Sequence, residues 1–338
     1  MSVLVTGATG FIGEHVVDLL LKEGFGVIGT ARSLEKAQKV HAQFNNNPKV
    51  SFEIVPELTA LDAFDNLFRE RGESIQSVIH MASPFISGAT NFGNQLLVPA
   101  RNGTIAIFNA IKRYGKKVRR VVFTSSLLAL AEGRKLGDRT FTFNEGDWSS
   151  VTWETCQSDP MNAYGGSKKF AEQAAWEFVE SHRDEINFKL TAVIPAMVLG
   201  PHKFAEDVKD HLNLSNKIID GLLNSSPDQT SLPKMHASFI DVRDVARAHL
   251  IALQKESATD QRICVFKSTF GSQDILDILN ARFPELRGKI SSGPNPGKGD
   301  QTPSCSYDFS FSDEILGFEF KTLEESVYDT VEQVLSVR

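Results

Sequence analysis

The sequence predicts an α/β protein built on a doubly wound parallel sheet, with a smaller lobe drawn from its C-terminal third. Short β-branched runs alternate with helical segments through the first two-thirds of the 338 residues. A glycine-rich turn follows the first run, and after Pro195 the alternation lapses. The runs are almost continuously apolar, as strands buried on both faces of a parallel sheet are, and strand–helix alternation implies right-handed crossovers.

The strand candidates are 2–6, 26–30, 51–55, 77–81, 120–125 and 189–194, with helices at 11–23, 33–44, 60–71, 92–114 and 163–182. Another helix is expected over 206–224, followed by the loop "NSSPDQTSLP". "SFIDVRDVARAHLIALQ" (238–254) reads as a strand running straight into an amphipathic helix, with Val245, Ala246, His249, Leu250 and Leu253 as its apolar stripe. A strand at 262–266 is expected to rejoin the sheet, and 271–338 to supply short helices around "SSGPNPGKGDQTPS". The resulting division is a sheet domain, 1–195 with 238–266 returning to it, and a lobe from 196–237 and 267–338. The cleft between them is the natural ligand site.

Composition narrows the function classes. With 41% hydrophobic and 23% charged residues the chain resembles an ordinary globular protein. A net charge of −6 argues against a nucleic-acid partner, and no stretch has the length of a membrane span. "MSVLVTG" lacks a basic n-region and reads as a first strand rather than a signal peptide. Cys156, Cys264 and Cys305 are odd in number and widely spaced, which suits a reducing compartment with neither a disulfide framework nor a metal site. The expected location is cytoplasmic, so the glycosylation matches at Asn102 and Asn213 count as coincidence. Monomer and homodimer both remain open.

"VLVTGATGFIGEHVVDLLL" places Gly7, Gly10 and Gly13 directly after the first strand, where they open a helix. Glycine there allows the tight turn, close backbone approach to a pyrophosphate and close helix–strand packing, while the helix N-terminus favours an anion. This is the signature of a Rossmann dinucleotide site, although the spacing is G-x-x-G-x-x-G rather than G-x-G-x-x-G. At the end of the second strand, "GTARSLEK" offers Arg32 and Lys36 where an acid would grip a ribose 2′-hydroxyl. A guanidinium with a nearby ammonium suits a 2′-phosphate instead, so NADPH is the expected cofactor.

"NAYGGSKKF" (162–170) sets Tyr164 one helical turn before Lys168, and of the 4 tyrosines only this one has lysine at that offset. A phenol titrates near ~10 in solution, and a lysine on the same helix face favours the phenolate, lowering that value. Such a donor can protonate a carbonyl oxygen as hydride reaches the carbon. "VVFTSSLLAL" ends the fifth strand with Ser125 and Ser126, at the edge where parallel sheets bind ligands. Either serine can supply the remaining hydroxyl.

Together "TGATGFI", "IGTARS", "EIVPEL", "ASPF", "FTSS", "TWETCQSDPMNAYGGSKKFAEQAAWEF", "GP" at 200–201, "FIDVRDVARAHL" and "ILGFEF" resemble an extended short-chain dehydrogenase/reductase of the dihydroflavonol-reductase-like branch, over essentially the whole chain. The resemblance implies an NADPH-dependent reductase of aldehydes, α-dicarbonyls or prochiral ketones with a catalytic triad of Ser126, Tyr164 and Lys168. For the cofactor it implies Gly7, Ala8, Thr9, Gly10, Phe11, Ile12 and Gly13 at the pyrophosphate and Arg32 with Lys36 at the 2′-phosphate. It further implies Glu57 and Leu58 at the adenine, Ala82 at the ribose, and Pro195, Val198 and Ser215 about the nicotinamide or its phosphates. The family commonly has Asp where Glu57 stands. Relatives often carry aromatics after the catalytic serine, where this chain has "LLALA". Phe85, Leu127, Ala131, Met161 and Met197 are therefore expected to line a roomy apolar pocket, with Phe204 a further candidate. No charged residue is evident for a substrate carboxylate, so neutral carbonyls are favoured. A nucleotide-sugar epimerase or dehydratase of the same fold would need a site for a diphosphate, and the C-terminal lobe has no basic cluster to form one. A dinucleotide sensor without chemistry would have no need of both Tyr164 and Lys168.

Overall fold

The structure is a computed structural model that describes residues 2–83, 88–131, 136–210, 212–233 and 235–338. Its strands run in chain order β1 (Ser2–Thr6), β2 (Gly26–Ala31), β3 (Val50–Ile54), β4 (Ile75–His80), β5 (Arg120–Thr124) and β6 (Thr142–Asn144). They continue with β7 (Lys189–Pro195), β8 (Met197–Leu199), β9 (His236–Asp241), β10 (Arg262–Val265), β11 (Ser268–Gly271) and β12 (Ser306–Asp308). The helices are α1 (Phe11–Lys22), α2 (Leu34–Gln43), α3 (Asp65–Arg71), α4 (Val98–Tyr114), α5 (Pro160–Ser181) and α6 (Ala205–Asp210). After them come α7 (Asn216–Leu223), α8 (Val242–Gln254), α9 (Ser272–Arg282), α10 (Ser310–Leu316) and α11 (Leu323–Val337).

Seven strands form one parallel sheet in the order β10-β7-β5-β4-β1-β2-β3. The winding reverses between β1 and β4, and ligands bind such sheets at the carboxyl ends flanking that reversal. Alternate residues of the strands feed two cores. Val3, Val5, Val122 and Val193 pack with α1 and α8 on one face. Leu4, Val78, Val121 and Leu190 pack with α4 and α5 on the other. A third core, with Leu199, Ile219, Phe239, Phe270, Leu276 and Val331, belongs to the lobe.

The departures from sequence expectation have local causes. Helix α3 starts only at Asp65, the preceding stretch being taken up by turns closed by hydrogen bonds from Ala63 N to Ala60 O and from Asp65 N to Asp62 O. Before α4 the helix widens into a π turn at Gly93–Leu97, just ahead of Pro99, which has no N–H to donate to the preceding turn. The expected helix 206–224 is split into α6 and α7, with the Asn213 side chain between them bonded to Ser215 and His202. The reading of 238–254 as strand-into-helix holds, with Asp241 capping α8 by accepting from Arg243 N at 2.8 Å. However, β9 does not return to the large sheet. It pairs with β8 (parallel) and β11 (antiparallel), while β10 takes the free edge of β7. The parallel pair β6–β12 is three residues long in each strand, too short to show alternation in sequence. Among the described residues no helix is long and apolar enough to cross a membrane, and no cluster of His, Cys, Asp or Glu could hold a metal ion.

Candidate active site

At the end of β1 the chain turns at Gly7 with φ +72°, and a Cβ there would lie 3.1 Å from the Ala82 nitrogen. A side chain is therefore excluded both by conformation and by the approach of the segment after β4. Thr6 Oγ1 accepts hydrogen bonds from the Met81 and Ala82 nitrogens at 3.1 Å each, tying the two strand ends together across the reversal. At Gly13 a Cβ would meet the Gly7 carbonyl oxygen at 2.1 Å, so glycine lets α1 close on the turn. Gly10 caps α1 without a side-chain hydrogen bond. The first N–H groups of that helix thus keep their donors for an anion. Ala8 is in the core, Thr9, Phe11 and Ile12 are partly exposed, and the Phe11 ring lies 5.0 Å from that of His202 in the lobe.

At the end of β2, Arg32 is exposed and Ser33 caps α2, its hydroxyl accepting from Lys36 N at 3.2 Å. Hydrogen bonds from Thr59, helped by the charge of Arg32, hold the Glu57 carboxyl below its ordinary range. Arg32 and Glu57 therefore stand close enough to feel one another. Leu58 turns its side chain into the core beneath Gly103, so its backbone is what remains for an adenine. An uncapped helix start, a turn that any Cβ would obstruct and an exposed guanidinium where an acid could have stood fit an NADPH rather than an NADH.

The chemical groups are linked to this end of the sheet through His80, which feels the charge of Lys168 and bonds Thr6, the residue before the glycine turn. Asp159 caps α5, accepting from the Met161 and Asn162 nitrogens at 3.0 Å each, and Pro160 opens the helix. Tyr164 follows in the second turn, and Lys168 one turn later places its Nζ 6.0 Å from the Tyr164 ring centre. Ser126 hydrogen-bonds the Tyr164 hydroxyl and also accepts from Leu128 N at 3.3 Å. Ser125 faces away and donates to Glu172 Oε2 at 2.5 Å. Of the two serines it is Ser126, the one the family resemblance implied, that contacts Tyr164.

Burial raises the Tyr164 phenol above its ordinary value, the Ser126 hydrogen bond opposing it. That direction is opposite to the sequence expectation, because burial disfavours the phenolate more than the Ser126 hydrogen bond favours it. Burial also lowers the Lys168 ammonium to about 8. His80, at the end of β4, is brought down to about 3 by burial and secondarily by the charge of Lys168, and shares a 2.8 Å hydrogen bond with Thr6 Oγ1.

On the lobe side, Ser215 Oγ donates to the Val198 carbonyl at 2.5 Å and accepts from Asn213, whose other amide atom bonds His202. Through Phe11 and His202 this chain reaches the glycine turn. Pro195 is buried at the end of β7. The expected pocket wall is less uniform. Leu127 and Ala131 are 4% and 3% exposed and belong to the core, behind the site rather than on an open wall. Met161 is 60% exposed at the start of α5, and Met197 packs on the lobe core. Phe85 lies outside the described residues. Phe204 does not join the site. It packs edge-on against Phe44 at 4.9 Å, in a groove with Asp18, Lys22 and Lys203 at the far ends of α1 and α2. Sequence reading missed His80, Thr6, Glu172 and Arg262. A buried-strand pattern ending on His80, Thr6 or Thr124 was the available signal for the strand-end hydroxyls and imidazole.

A nucleotide turn, a Ser–Tyr–Lys cluster and a sheet wound both ways define a dinucleotide-dependent enzyme of the short-chain type. Residues 3–265 match the NAD dependent epimerase/dehydratase family, and the chain belongs to it. The NADPH-dependent methylglyoxal reductase GRE2 of Saccharomyces cerevisiae is 50% identical over 337 residues, spanning 99% of this chain and 98% of its own. The crystal structure of yeast methylglyoxal/isovaleraldehyde reductase Gre2 complexed with NADPH superposes with a TM-score of 0.97 at 49% identity, covering 100% of this chain and 99% of that one. Gre2 from Candida albicans in complex with NADPH gives 0.96 at 40% identity, with 100% and 99% covered.

Proposed function

We infer that the protein is an NADPH-dependent carbonyl reductase that converts small aldehydes, α-dicarbonyls or prochiral ketones to alcohols. The observation that carries this reading is the hydrogen bond from Ser126 to Tyr164, with Lys168 one turn on, beside the glycine turn. NADPH supplies the hydride when bound. The backbone of Gly7 to Gly13 would hold its pyrophosphate, Arg32 and Lys36 its 2′-phosphate, Glu57 and the Leu58 backbone its adenine. Ala82, Pro195, Val198 and Ser215 would flank the ribose and nicotinamide.

In reduction, Tyr164 Oη gives its proton to the carbonyl oxygen as negative charge develops there. Ser126 Oγ holds that oxygen within reach of the phenol. Lys168 stabilises the phenolate that remains, and a buried ammonium does so more strongly than an exposed one. Met161, exposed at the start of α5, would offer an apolar approach, which suits the carbonyls named for the yeast relative, methylglyoxal and isovaleraldehyde. Three buried thiols suit a reducing compartment, and we place the protein in the cytoplasm.

A screen of purified protein against methylglyoxal, branched aldehydes and prochiral ketones, followed by NADPH absorbance with NADH in parallel, tests the reading. Turnover with NADPH and little with NADH is expected. NADPH binding without turnover across the panel would overturn it and indicate a sensor instead.

A further inference from the structure

Glu172 is fully buried, one turn beyond Lys168 and two beyond Tyr164, so the three share a stripe of α5. Its Oε1 accepts from Arg262 Nε at 2.7 Å and from Trp176 Nε1 at 3.2 Å, and its Oε2 accepts from Ser125 Oγ at 2.5 Å. Arg262, on β10, donates further to the carbonyls of Glu145 and Asp147 and lies 3.9 Å over the Trp148 ring. A buried ion pair is weak support for stability, since apolar residues of similar volume usually serve as well. The proton transfer described above gives this pair no part.

Its position suggests one. Strand β5 ends at Thr124, and two further hydroxyls, Ser125 and Ser126, follow it directly. Thr124 Oγ1 shares a 2.7 Å hydrogen bond with His249 Nε2 of α8 on one face. Ser125 is held by Glu172 of α5 on the other. Ser126, next in line, turns to Tyr164 on that same α5. Lysine and glutamate four residues apart on a helix ordinarily attract one another. Here burial alone moves Lys168, while both Glu172 oxygens are engaged elsewhere.

We propose that Glu172, aimed by Arg262, is a positioning residue of the reductase. By gripping Ser125 it fixes the spacing between Ser126 on the strand end and Tyr164 on the helix. The proposal rests on the roles given to Ser126 and Tyr164 above.

Replacing Glu172 itself leaves Arg262 buried without its partner, and such a variant can fail to fold. Ser125→Ala removes the grip and leaves the ion pair intact. Its kcat is expected to fall about tenfold, with the carbonyl KM and NADPH affinity within about twofold of the parent. In a Ser126→Ala background the same substitution should change kcat less than twofold, because it acts through Ser126. Parent-like kcat in Ser125→Ala overturns the proposal, as does a full further tenfold loss in the double variant. If Ser126→Ala alone keeps the parent rate, the assignment of Ser126 falls together with the proposal.

Discussion

Glu14→Gln removes a buried acid without changing its shape, and the structure sets the size of the effect. Glu14 sits in the first turn of α1, 3% exposed, and its carboxyl hydrogen-bonds Asp207 of α6. Asp207 in turn pairs with Lys39 Nζ at 2.8 Å and accepts from Gln43 Nε2 at 3.1 Å, both on α2. Burial, then the Asp207 charge, raises Glu14 from 4.5 to about 8, with Lys36 and Lys39 pulling the other way. Between those values the folded protein keeps a proton that the unfolded chain has released. Stability is therefore complete below the unfolded value and declines as pH rises to about 8. At 1.36 kcal/mol per pH unit the whole decline comes to about 5 kcal/mol. Glutamine keeps a donor for Asp207 and titrates nothing. Urea unfolding should place the variant within about 1 kcal/mol of the parent at pH 5 and several kcal/mol above it at pH 9, with about 5 as the ceiling. A stability difference that is the same at both pH values would refute the reasoning, because every other titrating group cancels in the comparison.

Tyr164→Phe should lower kcat by about two to four orders of magnitude while leaving NADPH affinity nearly unchanged, and normal turnover would remove the acid assignment. Arg32→Ala should weaken NADPH by about ten- to a hundredfold in a fluorescence titration and NADH hardly at all, and an unaltered preference between the two would count against the 2′-phosphate site. Since burial lowers Lys168 to about 8, kcat/KM for reduction should fall as pH rises through that value and the ammonium is lost. A level profile from pH 7 to 9.5 would contradict the role given to that charge.

The parts legible in the sequence are those fixed by short-range chemistry. The glycine turn, the Tyr164–Lys168 spacing and the Arg32 substitution each lie within a few residues, and the continuous apolar strands announced the parallel sheet. What escaped depends on long-range closure. That β9 joins β8 and β11 in the small sheet while β10 takes the β7 edge is recorded by no local pattern. The same holds for Ser125 and Ser126. Residue type in "FTSS" does not separate them, and only the family resemblance pointed to Ser126. The contacts that distinguish them, Ser125 to Glu172 and Ser126 to Tyr164, come from α5, far along the chain. Phe204 was misplaced for a related reason, as an aromatic after Pro201 gives no sign of which end of the sheet it will reach.

The raised phenol of Tyr164 changes how its lysine should be understood. A proton donor must still hold its proton when the carbonyl arrives, and burial guarantees this at neutral pH. Lys168, lowered to about 8, remains about nine-tenths charged at pH 7, while His80, near 3, stays neutral and adds no competing cation. The burial that disfavours a free phenolate also lowers the local dielectric, which strengthens the attraction between phenolate and ammonium once the proton has left. One structural cause thus keeps the acid protonated at rest and steadies its conjugate base afterwards. On the proposed mechanism the lysine therefore acts on the product of proton transfer rather than on the resting phenol, whose shift comes from burial and the Ser126 hydrogen bond.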